Sequence, residues 1–118
     1  MITLSYMPKI QQVYRMDNLH RIFFKAFSNQ TRLEIIQLLR RKPLTVTEIC
    51  KKTGFEQSRV SHNLKCLEHC GFVKITPNGN FRKYTLDDET IVPLIDLFEK
   101  HIQRYKGTLE NCGVIQDD

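Results

Sequence analysis

The stretch from Thr45 to Gly71 constrains the fold of this chain most, because it encodes two short helices separated by a glycine. Thr45, followed three residues later by Glu48, has the form of a capping box and predicts that a helix begins there. Gly54 is expected to end that helix in the left-handed conformation that glycine adopts without strain. A second helix is predicted over 57–70, with a buried stripe at helical spacing that consists of Val60, Leu64 and Leu67. Two short helices joined by a tight turn that contains glycine are typical of a helix-turn-helix.

A β-hairpin is predicted directly after the second helix. The dipeptide Asn78-Gly79 stands between FVKIT and FRKYTL, two runs rich in residues that favour strands, and this combination is a strong hairpin signal. A helix-turn-helix at 45–71 followed at once by a hairpin at 72–86 is a winged helix-turn-helix. The predicted fold class is therefore mainly α with a small β-hairpin, in the order α-α-α-α-β-β-α, and 118 residues suit a single domain.

Amphipathic helices are predicted on both sides of this unit. Apolar residues recur at helical spacing in 11–27 and again in 88–106, where Pro93 fits the first turn because its missing N–H costs little there. Between 11–27 and the helix-turn-helix, Asn29 is the expected N-cap of a further helix that ends before Pro43. The two ends of the chain are expected to be flexible, as a loose arm at 1–10 and a polar tail at 107–118.

Charge is distributed unevenly along the chain, whose formal net charge is +5. Residues 19–86 carry thirteen Lys or Arg and four Asp or Glu, whereas residues 87–118 carry three basic and eight acidic residues. A basic middle and an acidic C-terminus are typical of a protein whose middle meets a polyanion. A well-solvated surface is the alternative explanation, and charge alone does not decide between them.

The second helix of the motif and the wing present polar and basic side chains that suit DNA. The N-terminal end of this helix is expected to enter a major groove, where Gln, Arg and Ser hydrogen-bond base edges and Lys holds phosphates. The predicted contact residues are Gln57, Ser58, Arg59, Ser61, His62 and Lys65 on the helix and Asn80, Arg82 and Lys83 on the wing. Together with the uneven charge, this surface favours double-stranded DNA as the partner.

Several other classes of protein are disfavoured. No apolar run approaches the ~18 residues of a membrane span, so no membrane partner is expected. The N-terminus MITLSYMPKIQQVY lacks the apolar core and the cleavage site of a secretory signal, so a cytoplasmic location is expected. The chain has no phosphate-binding loop, no HExxH and no paired acids that can be placed in a cleft, so it is not expected to be an enzyme.

Three stretches, FKAFSNQTRLEIIQLL, TVTEICKKTGFEQSRVSHNLKCLEHCGFV and NGNFRKYTL, resemble the ArsR/SmtB family of winged-helix repressors. The resemblance covers roughly residues 19–87 and includes Thr31-Arg32-Leu33, the pattern from Gln57 to Leu67, and Gly71 to Val73. It implies a homodimer built on the first and last helices, with two symmetric reader helices on a palindromic operator. It also implies that DNA is released when a metal or another inducer binds.

Two of the effector sites that this family uses are not matched. One requires a Cys-x-Cys at the start of the third helix, where this chain has Thr45-Val46-Thr47. The other lies on the last helix, where Asp88 and His101 are in register but Thr90 and Arg104 replace two ligands. Both sites are therefore expected to be absent.

A third arrangement does match. The CmtR-type cadmium and lead sensors of this family have two cysteines four apart in the reader helix and one in the C-terminal tail, as do Cys66, Cys70 and Cys112. Residues four apart share one face of a helix, with Cβ atoms about 5–6 Å apart, so two thiolates can bind one ion. Thiolates select soft or borderline ions, and the resemblance implies cadmium, lead or zinc as the inducer.

Three alternatives stay open at this point. The cysteines are also explained by core packing, which is the expectation for Cys50 among the apolar positions of its short helix. A repressor of the same fold with a disulfide or persulfide switch is the nearest functional alternative. A winged helix used only for protein–protein contact belongs to another class, and it would lack a steep loss of DNA affinity with added salt.

Overall fold

The structure, a computed structural model, describes residues 18–113 apart from the side chain of Asn78. It is mainly helical, with one two-stranded antiparallel sheet. The elements in chain order are α1 (Asn18–Phe27), α2 (Gln30–Arg41), α3 (Val46–Thr53), α4 (Gln57–His69), β1 (Val73–Asn78), β2 (Phe81–Leu86), α5 (Ile91–Arg104) and α6 (Lys106–Glu110). This order confirms the predicted winged helix-turn-helix, with α3 and α4 as its two helices and the β1–β2 hairpin as its wing.

Capping geometry confirms the predicted helix starts and stops. At the start of α2, the side chain of Asn29 accepts a hydrogen bond from the backbone N–H of Arg32 at 3.0 Å. Thr45 and Glu48 form both bonds of a capping box, with Glu48 N–H donating to Thr45 Oγ1 at 3.2 Å and Thr45 N–H donating to Glu48 Oε1 at 2.9 Å. Gly54 ends α3 with a φ of 78°, which produces the tight turn into α4.

The turn of the wing is centred one residue beyond the Asn-Gly dipeptide that predicts the hairpin. Asn78 pairs with Phe81 across the sheet, so the two loop residues are Gly79 and Asn80. Gly79 has a φ of 65°, and no non-glycine residue within 18–113 has a positive φ. A positive φ at the first loop residue alone is the geometry of a type II′ turn, in which glycine is favoured at that place.

A third segment of chain is attached to the wing. Leu44, just before α3, forms an isolated antiparallel bridge with Tyr84 of β2. The backbone N–H of Tyr84 donates to the carbonyl of Leu44 at 2.8 Å, and that of Leu44 donates back at 3.2 Å. This bridge connects the wing to the start of α3. It also stabilises the hairpin, because a two-stranded hairpin is only marginally stable alone.

The flanking helices and the helix-turn-helix share one hydrophobic core. Its fully buried large side chains are Phe72, Ile35, Ile36, Leu44, Ile49, Leu64, Leu67, Ile95 and Val60. Aromatic rings connect it to both ends of the fold, because Phe27 of α1 lies 4.9 Å from the ring centroid of Phe72 and 5.4 Å from that of Phe98 in α5. Cys50 is half-buried and packs against this core.

The same two flanking helices leave apolar side chains on the surface of the protomer. The large exposed ones on α1 are Leu19, Ile22 and Phe24, and those on α5 are Leu97 and Ile102. Leu97 is 65% exposed and Phe24 is 61% exposed. Large apolar side chains left exposed on two neighbouring parts of a fold provide a surface that another chain can cover.

The ends of the chain are only partly described. The predicted arm at 1–10 and the first part of the predicted helix at 11–27 lie outside the described residues. Within the predicted tail at 107–118, the short helix α6 extends to Glu110 in place of irregular chain, and residues beyond 113 again lie outside the description. In the part that is described, no helix is both long enough and apolar enough to cross a membrane.

Candidate functional site

Helix α4 places most of the predicted DNA contacts on its solvent-facing side. Gln57, Ser58, Arg59, His62 and Lys65 are exposed, and Ser61 is half-buried. The opposite face of α4 is locked into the core by Val60, Leu64 and Leu67, each of which is completely buried. Glu56, the N-cap residue, makes no side-chain capping bond, so its carboxylate does not occupy the backbone N–H groups of the first turn.

Arg59 is held by contacts within the protein. Its guanidinium carbon lies 3.9 Å from the centroid of the Phe55 ring, in the turn between α3 and α4. Its Nε and Nη2 atoms both donate to Thr31 Oγ1, at 2.9 and 2.6 Å. These contacts hold the exposed guanidinium of Arg59 in one orientation. Its Nη1 atom takes part in neither hydrogen bond to Thr31.

A second arginine, which the sequence did not single out as a site residue, joins three helices. Arg32 near the start of α2 donates from Nη1 to Asn63 Oδ1 on α4 at 3.2 Å. It also donates from Nε to the carbonyl of Ala26 at 3.0 Å and from Nη2 to that of Lys25 at 3.1 Å, both in α1. The Thr31-Arg32 pair was part of the family pattern, but nothing local in the sequence indicates which side chains it contacts.

On the wing, Asn80 and Arg82 are exposed, while Lys83 is half-buried. Lys83 lines a cleft of about 340 Å³ between the start of α3 and the wing, together with Thr45, Thr47, Glu48 and Phe81. The hydrogen bond from the Thr45 backbone N–H holds the pKa of the Glu48 carboxyl below its usual range, and the nearby charge of Lys83 lowers it further. Lys83 thus places a basic group on the side of the wing that faces α3.

The two cysteines of α4 lie side by side. Cys66 is half-buried and Cys70 is exposed, and they line a shallow groove of about 280 Å³ with His62, Lys65 and His69. Partial burial raises the pKa of the Cys70 thiol and the neighbouring Cys66 thiol raises it further, whereas the charge of Arg32 lowers it. This pair of adjacent sulfur atoms can hold one soft ion or react with an oxidant.

Cys112 is half-buried just after α6, where its backbone N–H donates to the carbonyl of Leu109 at 3.2 Å. Between residues 18 and 113, no three His, Cys, Asp or Glu side chains lie together in a way that could hold a metal ion. The single protomer therefore brings Cys66 and Cys70 together but does not bring Cys112 to them.

Residues at the two unmatched effector positions have other partners. Thr45 forms the capping box of α3. Asp88 lies 3.8 Å from the ammonium of Lys74, and Thr90 donates from its hydroxyl to Asp87 at 2.5 Å. The ring of His101 lies 4.7 Å from that of Tyr105.

Comparison with known proteins gives this arrangement a context. The family described as "Bacterial regulatory protein, arsR family" matches residues 29–74. The chain is similar to the arsenical resistance operon repressor of Bacillus subtilis, with 31% identity over 90 residues that cover 75% of this chain and 86% of that protein. It is also similar to a probable mercury resistance operon repressor of Streptomyces lividans, with 35% identity over 75 residues, or 64% of this chain.

Among solved structures, the cadmium metal-sensor CmtR of Mycobacterium tuberculosis has a TM-score of 0.57 at 26% identity, over 64% of this chain and 79% of that one. The chain spans 60% of the length of the Streptomyces repressor. The match to the Bacillus repressor extends over most of that protein and includes the whole helix-turn-helix and wing. This chain therefore belongs to the ArsR family of bacterial regulatory proteins.

Proposed function

We propose that this protein is a transcriptional repressor that binds a specific double-stranded DNA operator as a homodimer and releases it when a soft metal ion binds. The observation that carries the proposal is the exposed polar face of α4, which is fixed by a fully buried opposite face and lies beside a basic wing. The proposal treats residues 1–118 as one winged-helix domain.

DNA contacts are assigned by position on this surface. Gln57, Ser58 and Arg59 at the start of α4 face the major groove, where their side chains suit base edges and phosphates. Ser61, His62 and Lys65 follow along the same helix. On the wing, Asn80, Arg82 and Lys83 lie along the phosphate backbone, where positive charge and amide donors position the duplex without reading its sequence.

The dimer is assigned to α1 and α5. Both helices pack on the common core through Phe27 and Phe98, yet both expose large apolar residues such as Phe24 and Leu97. A symmetric partner that covers these side chains removes them from water, which stabilises the dimer. Two copies of α4 then face successive turns of one duplex.

The inducer site is assigned to Cys66 and Cys70, completed by Cys112 of the same or the partner protomer. Two thiolates leave the coordination of zinc or cadmium incomplete, since such ions take four ligands in closed sites. A soft ion bound by this pair is attached directly to α4, the helix proposed to enter the major groove. A third sulfur ligand from the C-terminal region would link that region to α4 through the ion. If the ion binds the DNA-free protein more tightly than the DNA-bound protein, it lowers the affinity of the protein for the operator by the ratio of those two ion affinities.

A cysteine redox switch is the second candidate. Cys66 and Cys70 lie one turn apart at the end of α4 and line the same shallow groove. An oxidant that converts one of them to a sulfenic acid allows the other to condense with it and form a disulfide. Reversible loss of DNA binding under mild oxidant, without metal, supports this candidate over the first.

The DNA-binding part is tested by selecting binding sequences from random duplex DNA and measuring the affinity of the best one over a range of salt concentrations. A palindromic sequence is expected, with an affinity that falls with salt by a log–log slope of about 0.9 for each phosphate contact. If no sequence is enriched and no salt dependence appears, the fold serves protein–protein contact instead.

The metal-binding part is tested by titrating the fully reduced protein with cadmium, lead and zinc while following thiolate-to-metal absorption. Cys66→Ala, Cys70→Ala and Cys112→Ala are each expected to weaken binding, whereas the matched control Cys50→Ala leaves it unchanged. If the first three bind like the wild type, these cysteines are not ligands of the inducer.

Mixed dimers made from Cys66→Ala and Cys112→Ala protomers locate the third ligand. If Cys112 acts across the dimer, both defects fall in one site and the other site keeps normal affinity. If it acts within a protomer, both sites are defective.

A further inference from the structure

The side chain of Arg32, in α2, donates hydrogen bonds to both α1 and α4. Three different nitrogen atoms of its guanidinium are used, Nε and Nη2 for the last carbonyls of α1 and Nη1 for Asn63 of α4, at 3.0 to 3.2 Å. The planar guanidinium holds these donors in a fixed fork. Because α1 and α4 both bond to this one rigid group, it helps to fix the orientation of each helix relative to the other.

A second set of bonds closes a ring with the first. Asn63 Nδ2 donates to the carbonyl of Arg59 at 2.8 Å, and Arg59 donates to Thr31, the residue next to Arg32. Thr31 is 6% exposed and Asn63 is 7% exposed. Partly buried polar networks of this kind resist small rotations, because a bond that is broken there is not fully replaced by water.

The two helices joined by Arg32 have different tasks in the proposed function. Helix α1 belongs to the dimer surface, and α4 enters the major groove. The angle between them fixes how far apart, and in which rotational phase, the two copies of α4 lie in the dimer. In a symmetric dimer that distance must match the spacing of the operator half-sites.

We infer that Arg32 is a positioning residue that sets the half-site spacing the dimer recognises, by fixing α4 against the dimer helix α1. This inference rests on the proposed homodimeric DNA binding. Arg32 itself is half-buried, and it is not among the residues proposed to contact DNA. Its loss therefore affects which spacing is bound more than how well one half-site is read.

The test uses full-length protein and a series of selected operators whose half-sites are moved apart by one and two base pairs. Two added base pairs rotate one half-site by roughly 70°, since a turn takes 10–10.5 base pairs. The wild type is expected to lose at least about tenfold in affinity on this change. Arg32→Gln is expected to bind the original operator more weakly but to lose roughly threefold or less when the spacing is changed.

Three further variants separate positioning from general damage. Arg41→Gln is the matched control, because it removes an exposed arginine at the end of the same helix, and it should keep the wild-type spacing preference. Asn63→Ala removes the acceptor on α4 while leaving the α1 bonds, and should relax the preference as Arg32→Gln does. Arg32→Lys keeps the charge but not the planar fork, so its spacing preference should lie between those of the wild type and Arg32→Gln. It replaces Arg32→Gln in the test if that variant does not fold.

The outcomes are distinct. If folded, dimeric Arg32→Lys and Asn63→Ala proteins keep the full spacing preference of the wild type, or lose affinity equally at every spacing, the inference is wrong while the proposed function stands. If the wild type binds no operator, or binds one half-site as a monomer, the proposed function itself fails and the inference falls with it.

Discussion

The guanidinium of Arg59 lies over the face of Phe55, 3.9 Å from the ring centroid, although the two residues belong to different parts of the helix-turn-helix. The contact joins the turn between α3 and α4 to the first turn of α4. It holds a predicted DNA-contacting side chain in place before any DNA is present.

Substituting Phe55→Leu is expected to weaken operator binding by a few-fold while changing the melting temperature little. Leucine keeps the apolar packing of this half-buried position but removes the ring face, and such a cation–π contact contributes about 0.5–1 kcal/mol at exposed sites. Fluorescence anisotropy with labelled operator and thermal unfolding measure the two effects. A large loss of stability with unchanged DNA affinity would make Phe55 a core residue only.

Cadmium affinity is expected to rise with pH. Burial and the neighbouring thiol raise the pKa of Cys70, so this thiol is protonated at neutral pH and must release its proton to bind the ion. Each proton released changes the apparent affinity by about tenfold per pH unit, a dependence measured between pH 6 and 8 by competition with a chelator. Cys70→Ala should show a shallower dependence, and an equal slope in both proteins contradicts the assignment of Cys70 as a ligand.

The capping box of α3 is expected to make the free energy of unfolding depend on pH in the acidic range. The folded protein holds the pKa of Glu48 low, so its contribution is present above the unfolded pKa and disappears as pH falls through the folded one. Urea unfolding should show a steeper loss between about pH 5 and 3 for the wild type than for Glu48→Gln. Thr45→Ala should cost about 1 kcal/mol at neutral pH, and a cost near zero would contradict a stabilising role for the cap.

The substitution Leu97→Glu is expected to produce folded monomers. It places a carboxylate on the exposed surface of α5, where formation of the proposed dimer would bury it without a partner. Sedimentation velocity reports the mass, and circular dichroism reports the helix content. Phe81→Glu is the matched control, because Phe81 is 68% exposed on the wing rather than on α5, and a dimer that survives Leu97→Glu would move the interface away from this helix.

The local features of this fold were predictable from sequence. Capping residues such as Asn29 and Thr45 act within three or four residues, and the buried stripe of α4 repeats at helical spacing, so both can be read from a short window. The hairpin was predicted by Asn78-Gly79. Its turn lies one residue later because Gly79 takes the first loop position, a choice between turn types that the dipeptide does not decide.

The candidate site was less predictable, for a physical reason. Arg59 meets Thr31 across 28 positions of sequence, and Arg32 meets Asn63 across 31. No periodicity connects such residues, since packing of α2 against α4 brings them together. The same holds for Cys112, whose position relative to the cysteines of α4 depends on the fold of the C-terminal region and, in the proposed dimer, on the partner protomer.

The bridge between Leu44 and Tyr84 has a consequence for the energetics of recognition. A hairpin that hangs free must give up its conformational entropy when it settles on a ligand, and that loss is subtracted from affinity. Here the ordering has been completed during folding, since the backbone on the α3 side is already paired with β2. In the proposed DNA complex the duplex therefore meets a preorganised wing, and the binding energy of the wing's basic side chains goes into holding DNA rather than into ordering protein.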